Sequence, residues 1–163
     1  MTKQERQWEN KDFDWNRKSW WLAVCHRNKF DEWWDPDKFN WKKNSLDLAE
    51  WCPDSFDKWW DPERFDWECS LHLAKYCSEH FDKWWDPAKF DWERSGSLAR
   101  YCSEHFDKWW DAEKYNWEIS DYLEKYCSTK FTDTQLKQLL LHPDKRARDF
   151  AKNIIKRREN DKR

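Results

Sequence analysis

Apolar positions in this chain recur with a helical period inside short segments and with a far longer period between them. Leu73, Ala74, Tyr76 and Cys77 fall three and four residues apart, as do Phe81, Trp84 and Trp85, so each set occupies one helix face. The same sets then return along the chain. A Trp-Trp pair stands at 33/34, 59/60, 84/85 and 109/110, at steps of 26, 25 and 25 residues, inside copies of the phrase that runs from Phe81 to Trp92. Strand-type alternation is almost absent. A helical unit too short to bury its own apolar face must stack on its neighbours, so the pattern predicts an all-α, right-handed α-solenoid of about four to five 25/26-residue repeats.

Each unit divides into three elements. A serine (Ser19, Ser45, Ser70, Ser95, Ser120) follows every aromatic-x-Trp phrase and stands three residues before a Leu, which predicts an N-cap for the first helix. Pro53 follows Cys52 in one unit, and proline fits the first position of a helix, not its interior. The expected helices therefore span 46–52, 53–60, 71–77, 78–85, 98–102, 103–110 and 121–127. One continuous helix from Ser70 to Trp85 is the alternative, since the period runs on without a phase break. The third element starts at Asp-Pro (35/36, 61/62, 86/87; Asp111-Ala112 in the last copy) and reads as a short helix of α or 3₁₀ type. An extra residue before Ser19 and Ser45 accounts for the step of 26 and belongs, by expectation, in a loop.

The array begins in mid-repeat, at Phe13-Asp14-Trp15. Residues 1–12 form a polar lead, read as a helix or a frayed end, and the repeats fill 13–130. From Phe131 the period stops. Thr132 to Leu136 reads as a cap leading into an apolar helix that ends at Leu141. His142-Pro143-Asp144 makes a turn, and a last helix from Arg146 to Arg158 gathers Ala147, Phe150, Ala151, Ile154 and Ile155 on one face. Residues 131–163 thus form a distinct C-terminal cap of the kind that a solenoid needs on its open end.

Composition sharpens this picture. Seventeen Trp and an aromatic content of 20% sit beside 39% charged residues and a single glycine, Gly96, so core material is plentiful in spite of a mean hydropathy of −1.37. Ordering a 25-residue unit costs more than its five aromatics return by burial, so Leu, Ala, Tyr and Cys must join them and most Trp must lie inside. Rows of exposed Trp that bind nucleic acid or carbohydrate are the alternative. Residues 1–136 carry 21 basic and 29 acidic residues, a net −8, whereas 137–163 carry 10 and 4, a net +6. An acidic array disfavours nucleic acid, whose affinity rests on phosphate neutralisation.

Candidate chemistry is thin. Cys77 with His80 and Cys102 with His105 have a spacing that two metal ligands can use, but the other copies hold Ser55 and Lys130 in place of the His, and two ligands do not close a structural site. A duplicated Cys-His pair is also a poor nucleophilic centre. The repeated carboxylates read as caps and surface charge. No catalytic, cofactor or metal residue is assigned, and the expected class is not an enzyme. Cys52, Cys77, Cys102 and Cys127 share one repeat position and are expected as buried free thiols. No apolar leader or membrane span is legible, which places the chain in a reducing, cytoplasmic setting by expectation.

Two resemblances add to this reading. The stretch from Leu139 to Ala151 is similar to the helix-turn-helix of leucine-rich variant and HEAT-like repeats, which implies a stack of helices used as a binding scaffold. The Phe-Asp-Lys-Trp-Trp-Asp-Pro and Leu-Ala-x-Tyr-Cys-Ser-Glu-His phrases resemble Trp-rich tandem repeats in proteins of large algal DNA viruses. That likeness implies an interaction or structural protein in a host cell or virion and transfers no functional residue. The functional expectation is a scaffold for a protein partner or for self-association. Its candidate contact residues are the repeated Lys58, Lys83 and Lys108 and the basic Arg146, Arg148, Arg157 and Arg158.

Overall fold

The computed structural model describes residues 6–161, which form an all-α repeat solenoid with no strand among them. The described residues divide into two compact units, one reaching to Asp86 and the other beginning at Pro87. In the first unit α1 (Trp15–Cys25), α3 (Trp41–Trp51) and α5 (Ser70–Tyr76) are the longer helices, and α1 packs on α3 and α3 on α5. Each is followed by a 3₁₀ turn (Arg27–Lys29, Pro53–Ser55, Ser78–His80) and a one-turn helix: α2 (Phe30–Trp33), α4 (Phe56–Trp59) and α6 (Phe81–Trp84). The continuous-helix alternative therefore fails, because the backbone breaks at Cys77, with φ −121° and ψ 27°, between α5 and the turn after it.

The true helix starts lie upstream of the expected ones. Asp14 and Asn40, the middle residues of the aromatic-x-Trp phrases, cap α1 and α3 by accepting from the Arg17 and Lys43 amides at 3.2 and 3.3 Å. Asp66 does the same for a 3₁₀ turn at Trp67–Cys69 that leads into α5. The serines are not caps: Ser19, Ser45 and Ser70 are fully buried. Ser45 Oγ donates back to the Trp41 carbonyl at 2.5 Å and accepts from the Asp66 amide of the next repeat at 3.1 Å. Ser19 relates in the same way to the Trp15 carbonyl and to the Asn40 amide.

The additional residue in the two longer repeats also lies elsewhere than expected. Trp41 and Ser45 are four apart and wind as α-helix, whereas Trp67 and Ser70 are three apart and wind as 3₁₀, with three residues per turn. Helix winding absorbs the length difference, and no loop is needed. The Asp-Pro element is a closed turn and not a helix. Asp35 Oδ1 accepts from the Asp37 amide at 3.1 Å while its carbonyl accepts from Phe39 at 3.0 Å, and a carboxylate that takes a local amide competes with helix formation.

Two tryptophans per repeat lock these pieces together. The first Trp of each pair is buried and donates its indole N–H to the carbonyl seven residues back: Trp33 to His26, Trp59 to Cys52 and Trp84 to Cys77, at 2.9, 2.8 and 2.8 Å. The Trp after the Asp-Pro turn donates five residues back, Trp41 to Pro36 and Trp67 to Pro62, at 2.8 and 2.9 Å. Trp8, from the polar lead, lies in a 3₁₀ turn (Gln7–Glu9), is buried, and donates to the Glu32 carbonyl at 3.2 Å. Residues 1–5 of that lead lie outside the described residues.

The second unit repeats the scheme in α7 (Gly96–Tyr101), α8 (Phe106–Trp109) and α9 (Ser120–Cys127), and closes with α10 (Asp133–Leu139) and α11 (Lys145–Asn160). Trp109 and Trp117 donate to the carbonyls of Cys102 and Ala112 at 2.8 and 3.0 Å. Gly96 is needed for the packing of α7 on α9: a Cβ there would lie 2.9 Å from Ile119 Cδ1 and 3.2 Å from Tyr122 Cδ2. In the cap, Thr132 and Gln135 form a reciprocal capping box at the start of α10. Ala147, Phe150, Ala151 and Ile154 of α11 are buried, with Phe150 against Trp117 and Phe131. No helix among the described residues is long and apolar enough to cross a membrane.

Candidate interaction surface

The aromatics are mostly core. Of the five per unit, Phe81, Trp84 and Phe90 are buried and Trp85 and Trp92 half-buried, and the equivalents in other repeats follow the same ranking except Trp117, which the cap buries. Among the described residues Trp20, at 46%, is the one exposed Trp. Phe56 lies flat between the rings of Trp60, at 5.2 Å and 18°, and His80 of the next repeat, at 4.4 Å and 14°. That stacking turns His80 away from chemistry. Its expected partner Cys77 is buried, and Cys77 Sγ donates instead to the Ala49 carbonyl at 3.6 Å.

The thiols fill a structural role. A helix leaves its last carbonyls unpaired, and Pro53, four residues after Ala49, has no N–H to offer. The thiol of the following repeat takes that place. Cys52 relates in the same way to Ala23, and Cys127 to Ala99. Burial pushes the thiols of Cys52, Cys77, Cys102 and Cys127 up to about 12, so none is poised as a nucleophile. Among the described residues, no group of three His, Cys, Asp or Glu could hold a metal ion.

The lysine column is tied from repeat to repeat. Lys58 Nζ binds both carboxylate oxygens of Asp31 at 2.6 and 2.7 Å, and Lys83 Nζ binds Asp57 Oδ1 at 2.5 Å. Lys83 holds the Asp57 carboxyl below its ordinary range. The basic cap residues are likewise engaged. Arg146 pairs with Glu118 at 3.4 Å and Arg157 with Glu124, which stands where the other repeats carry a buried alanine. Arg148 donates to the carbonyls of His142 and Pro143 at 2.6 and 2.7 Å. Arg158 binds Asp133 at 2.9 Å and the carbonyls of Ser128 and Phe131 at 3.1 and 2.8 Å. These arginines hold the cap in place.

A surface that sequence reasoning missed remains. One step before each of the buried cysteines Cys52, Cys77, Cys102 and Cys127 stands a half-buried ring with a cation over it. In the first unit Arg27 covers Trp51 at 5.7 Å and Lys75 covers Tyr76 at 4.4 Å, with the Tyr76 hydroxyl donating to Glu50 at 2.9 Å. In the second unit Arg100 covers Tyr101 at 5.0 Å and Lys125 covers Tyr126 at 5.2 Å, on the packed pair α7 and α9. Tyr122 stacks on Tyr126 at 6.3 Å and 22°. Among the described residues, neither Arg100 nor Lys125 meets a carboxylate, so both charges are available to a partner. The signal lay in the sequence as a base-Tyr-Cys phrase at 75–77, 100–102 and 125–127.

The chain matches no protein-family model, no curated protein and no solved structure.

Proposed function

We propose that this chain is a non-enzymatic helical-repeat scaffold that binds a protein partner through the cation–aromatic face of α7 and α9. The observation that carries this reading is the pairing of two uncompensated cations with two half-buried tyrosines at equivalent repeat positions. Tyr and Arg are the residues that dominate interface energetics, because a rigid amphipathic ring and a planar cation give contact area at low entropic cost. A partner segment bearing carboxylates is the natural complement to Arg100 and Lys125.

The test compares three forms of the immobilised chain: the native protein, Arg100→Glu/Lys125→Glu, and Lys58→Glu/Lys83→Glu/Lys108→Glu. A partner captured from the native source should be retained by the native protein and by the lysine variant, and lost by the Arg100/Lys125 variant. All altered positions are exposed, so circular dichroism should stay unchanged. Loss with the lysine variant alone would return the site to that column, and retention by both variants would overturn the proposal.

A further inference from the structure

The turn between α10 and α11 borders a cleft of about 310 Å³ whose lining includes Trp110, Glu113, Gln138, Leu139, Leu141 and His142. Three observations set it apart from the rest of the surface. Leu141 is 87% exposed, and among the described residues Leu141 and Trp20 are the only large apolar side chains left open. Trp110 is the last of the half-buried second tryptophans; its own position in the cap is taken by Gln135, and Phe131 packs edge-on against it at 4.8 Å, leaving Trp110 part of the cleft lining.

The third observation is His142. Its side chain is nine-tenths buried, and its Nδ1 accepts from the Asp144 amide at 3.1 Å. An accepting Nδ1 carries no proton, so in the neutral ring the proton sits on Nε2. That buried Nε2–H has no hydrogen-bond partner, although the carboxylate of the exposed Glu113 stands 3.5 Å away. A buried donor without a well-formed hydrogen bond is rare in a folded protein, and here its nearest acceptor is the mobile end of an exposed side chain.

We infer that this cleft is an anchor pocket for an extended peptide segment of a protein partner, a segment with a large apolar side chain beside a basic one. The apolar side chain lies against Trp110, Leu139 and Leu141. A backbone carbonyl accepts from His142 Nε2 as the Glu113 side chain swings aside, and the basic group pairs with Glu113. The volume is at the small end for a ligand site, which suits one anchoring side chain and its flanking backbone and not a whole small-molecule substrate. The pocket rests on the reading of the chain as a protein-binding module, but it does not use Arg100 or Lys125.

The test uses the full chain, isotope-labelled for NMR and titrated with N-acetyl-leucyl-lysine amide. N-acetyl-leucyl-glutamate amide and N-acetyl-glycyl-lysine amide serve as comparison probes. Saturable shifts are expected at the Trp110 indole N–H and the Leu139 and Leu141 methyls, strongest for the Leu-Lys probe. Leu141→Asp should abolish them, and Glu113→Gln should weaken binding roughly twofold to fivefold, as loss of an exposed ion pair does. Both positions are exposed, so neither change threatens the fold. The Arg100→Glu/Lys125→Glu variant should titrate like the native chain, which separates failure of the pocket from failure of the cation–aromatic face. Equal shifts from the Gly-Lys probe, no saturable shift from any probe, or shifts that grow with protein concentration alone would overturn the assignment, the last by showing that a second copy fills the cleft.

Discussion

Trp59 donates its indole N–H to the carbonyl oxygen of Cys52 over 2.8 Å, closing the break between α3 and α4 from inside the core. The same pair recurs as Trp84 with Cys77, so that Trp, and not its neighbour Trp85, is the anchor of the repeat. Trp84→Ala should cost ~3–5 kcal/mol in denaturant unfolding, since it empties a large buried site and removes one of the two donors, with the His80 amide, that the Cys77 carbonyl accepts from. Trp85→Ala should cost clearly less. Equal losses would mean that the two rings share the core evenly.

Why the sequence could not rank these two rings follows from their spacing. Trp84 and Trp85 stand three and four residues after Phe81, so both share its helix face, and periodicity treats them alike. The difference arises because the chain leaves the helix at Trp85, where ψ reaches 116° and the ring folds back flat on Phe81 at the edge of the core. The repeat length, the helical class and the terminal cap were all legible from spacing. The serines were misread because the residue type that caps a helix is also the one that can return a hydrogen bond inside it, and only the winding around Trp41 and Trp67 decides which. Trp8 escaped notice as a lone ring in a polar stretch. The charge on Arg146, Arg148, Arg157 and Arg158 was visible, but the carbonyls and carboxylates that absorb it lie up to 33 residues away in sequence, as Glu124 pairs with Arg157 in the last turn of α11.

The thiols give a pH dependence with a definite sign. Folding raises Cys52, Cys77, Cys102 and Cys127 from an ordinary 9.0 to about 12, so the native state holds protons that the unfolded chain gives up. Their contribution is fully present below the unfolded value and is lost as pH climbs from there toward the folded one. The urea midpoint should therefore fall on going from neutral pH to pH ~10.5. The variant with all four cysteines changed to alanine should show a flatter decline. In the native protein at mildly alkaline pH, a thiol reagent should label the exposed Cys25 first, Cys69 slowly and the other four only on unfolding.

Gly96 and Tyr122 make a size-matched pair across α7 and α9. Gly96→Leu, which restores the residue found at the equivalent positions 46 and 71, should destabilise by ~1–3 kcal/mol through overpacking. Tyr122→Ser, made in the same chain, should recover part of that loss, because the ring it removes is one of the two groups, with Ile119 Cδ1, that the new side chain meets. Additive losses in the double variant, measured by denaturant unfolding, would show that the two sites do not share this space.

Arg158 ties α11 to the first residue of α10 through the Asp133 carboxylate and to the loop before it through two carbonyls. Arg158→Ala should cost ~1.5–3 kcal/mol, and Arg158→Lys should rescue little, because an ammonium cannot span three acceptors as a planar fork does. Hydrogen exchange is the sensitive readout: the amides of α10 and α11 should lose protection before those of α9.

The hydroxyl of Ser45 reaches back to Trp41 in its own helix and out to the amide of Asp66, the residue that caps the start of the next. A single oxygen thereby makes the beginning of one helix conditional on the completion of the one before it. Melting of α3 would withdraw that acceptor and leave the next cap loose, so disorder should spread stepwise from neighbour to neighbour and not arise independently in each repeat. In the language of helix–coil theory, the serine is a coupling constant written as a side chain.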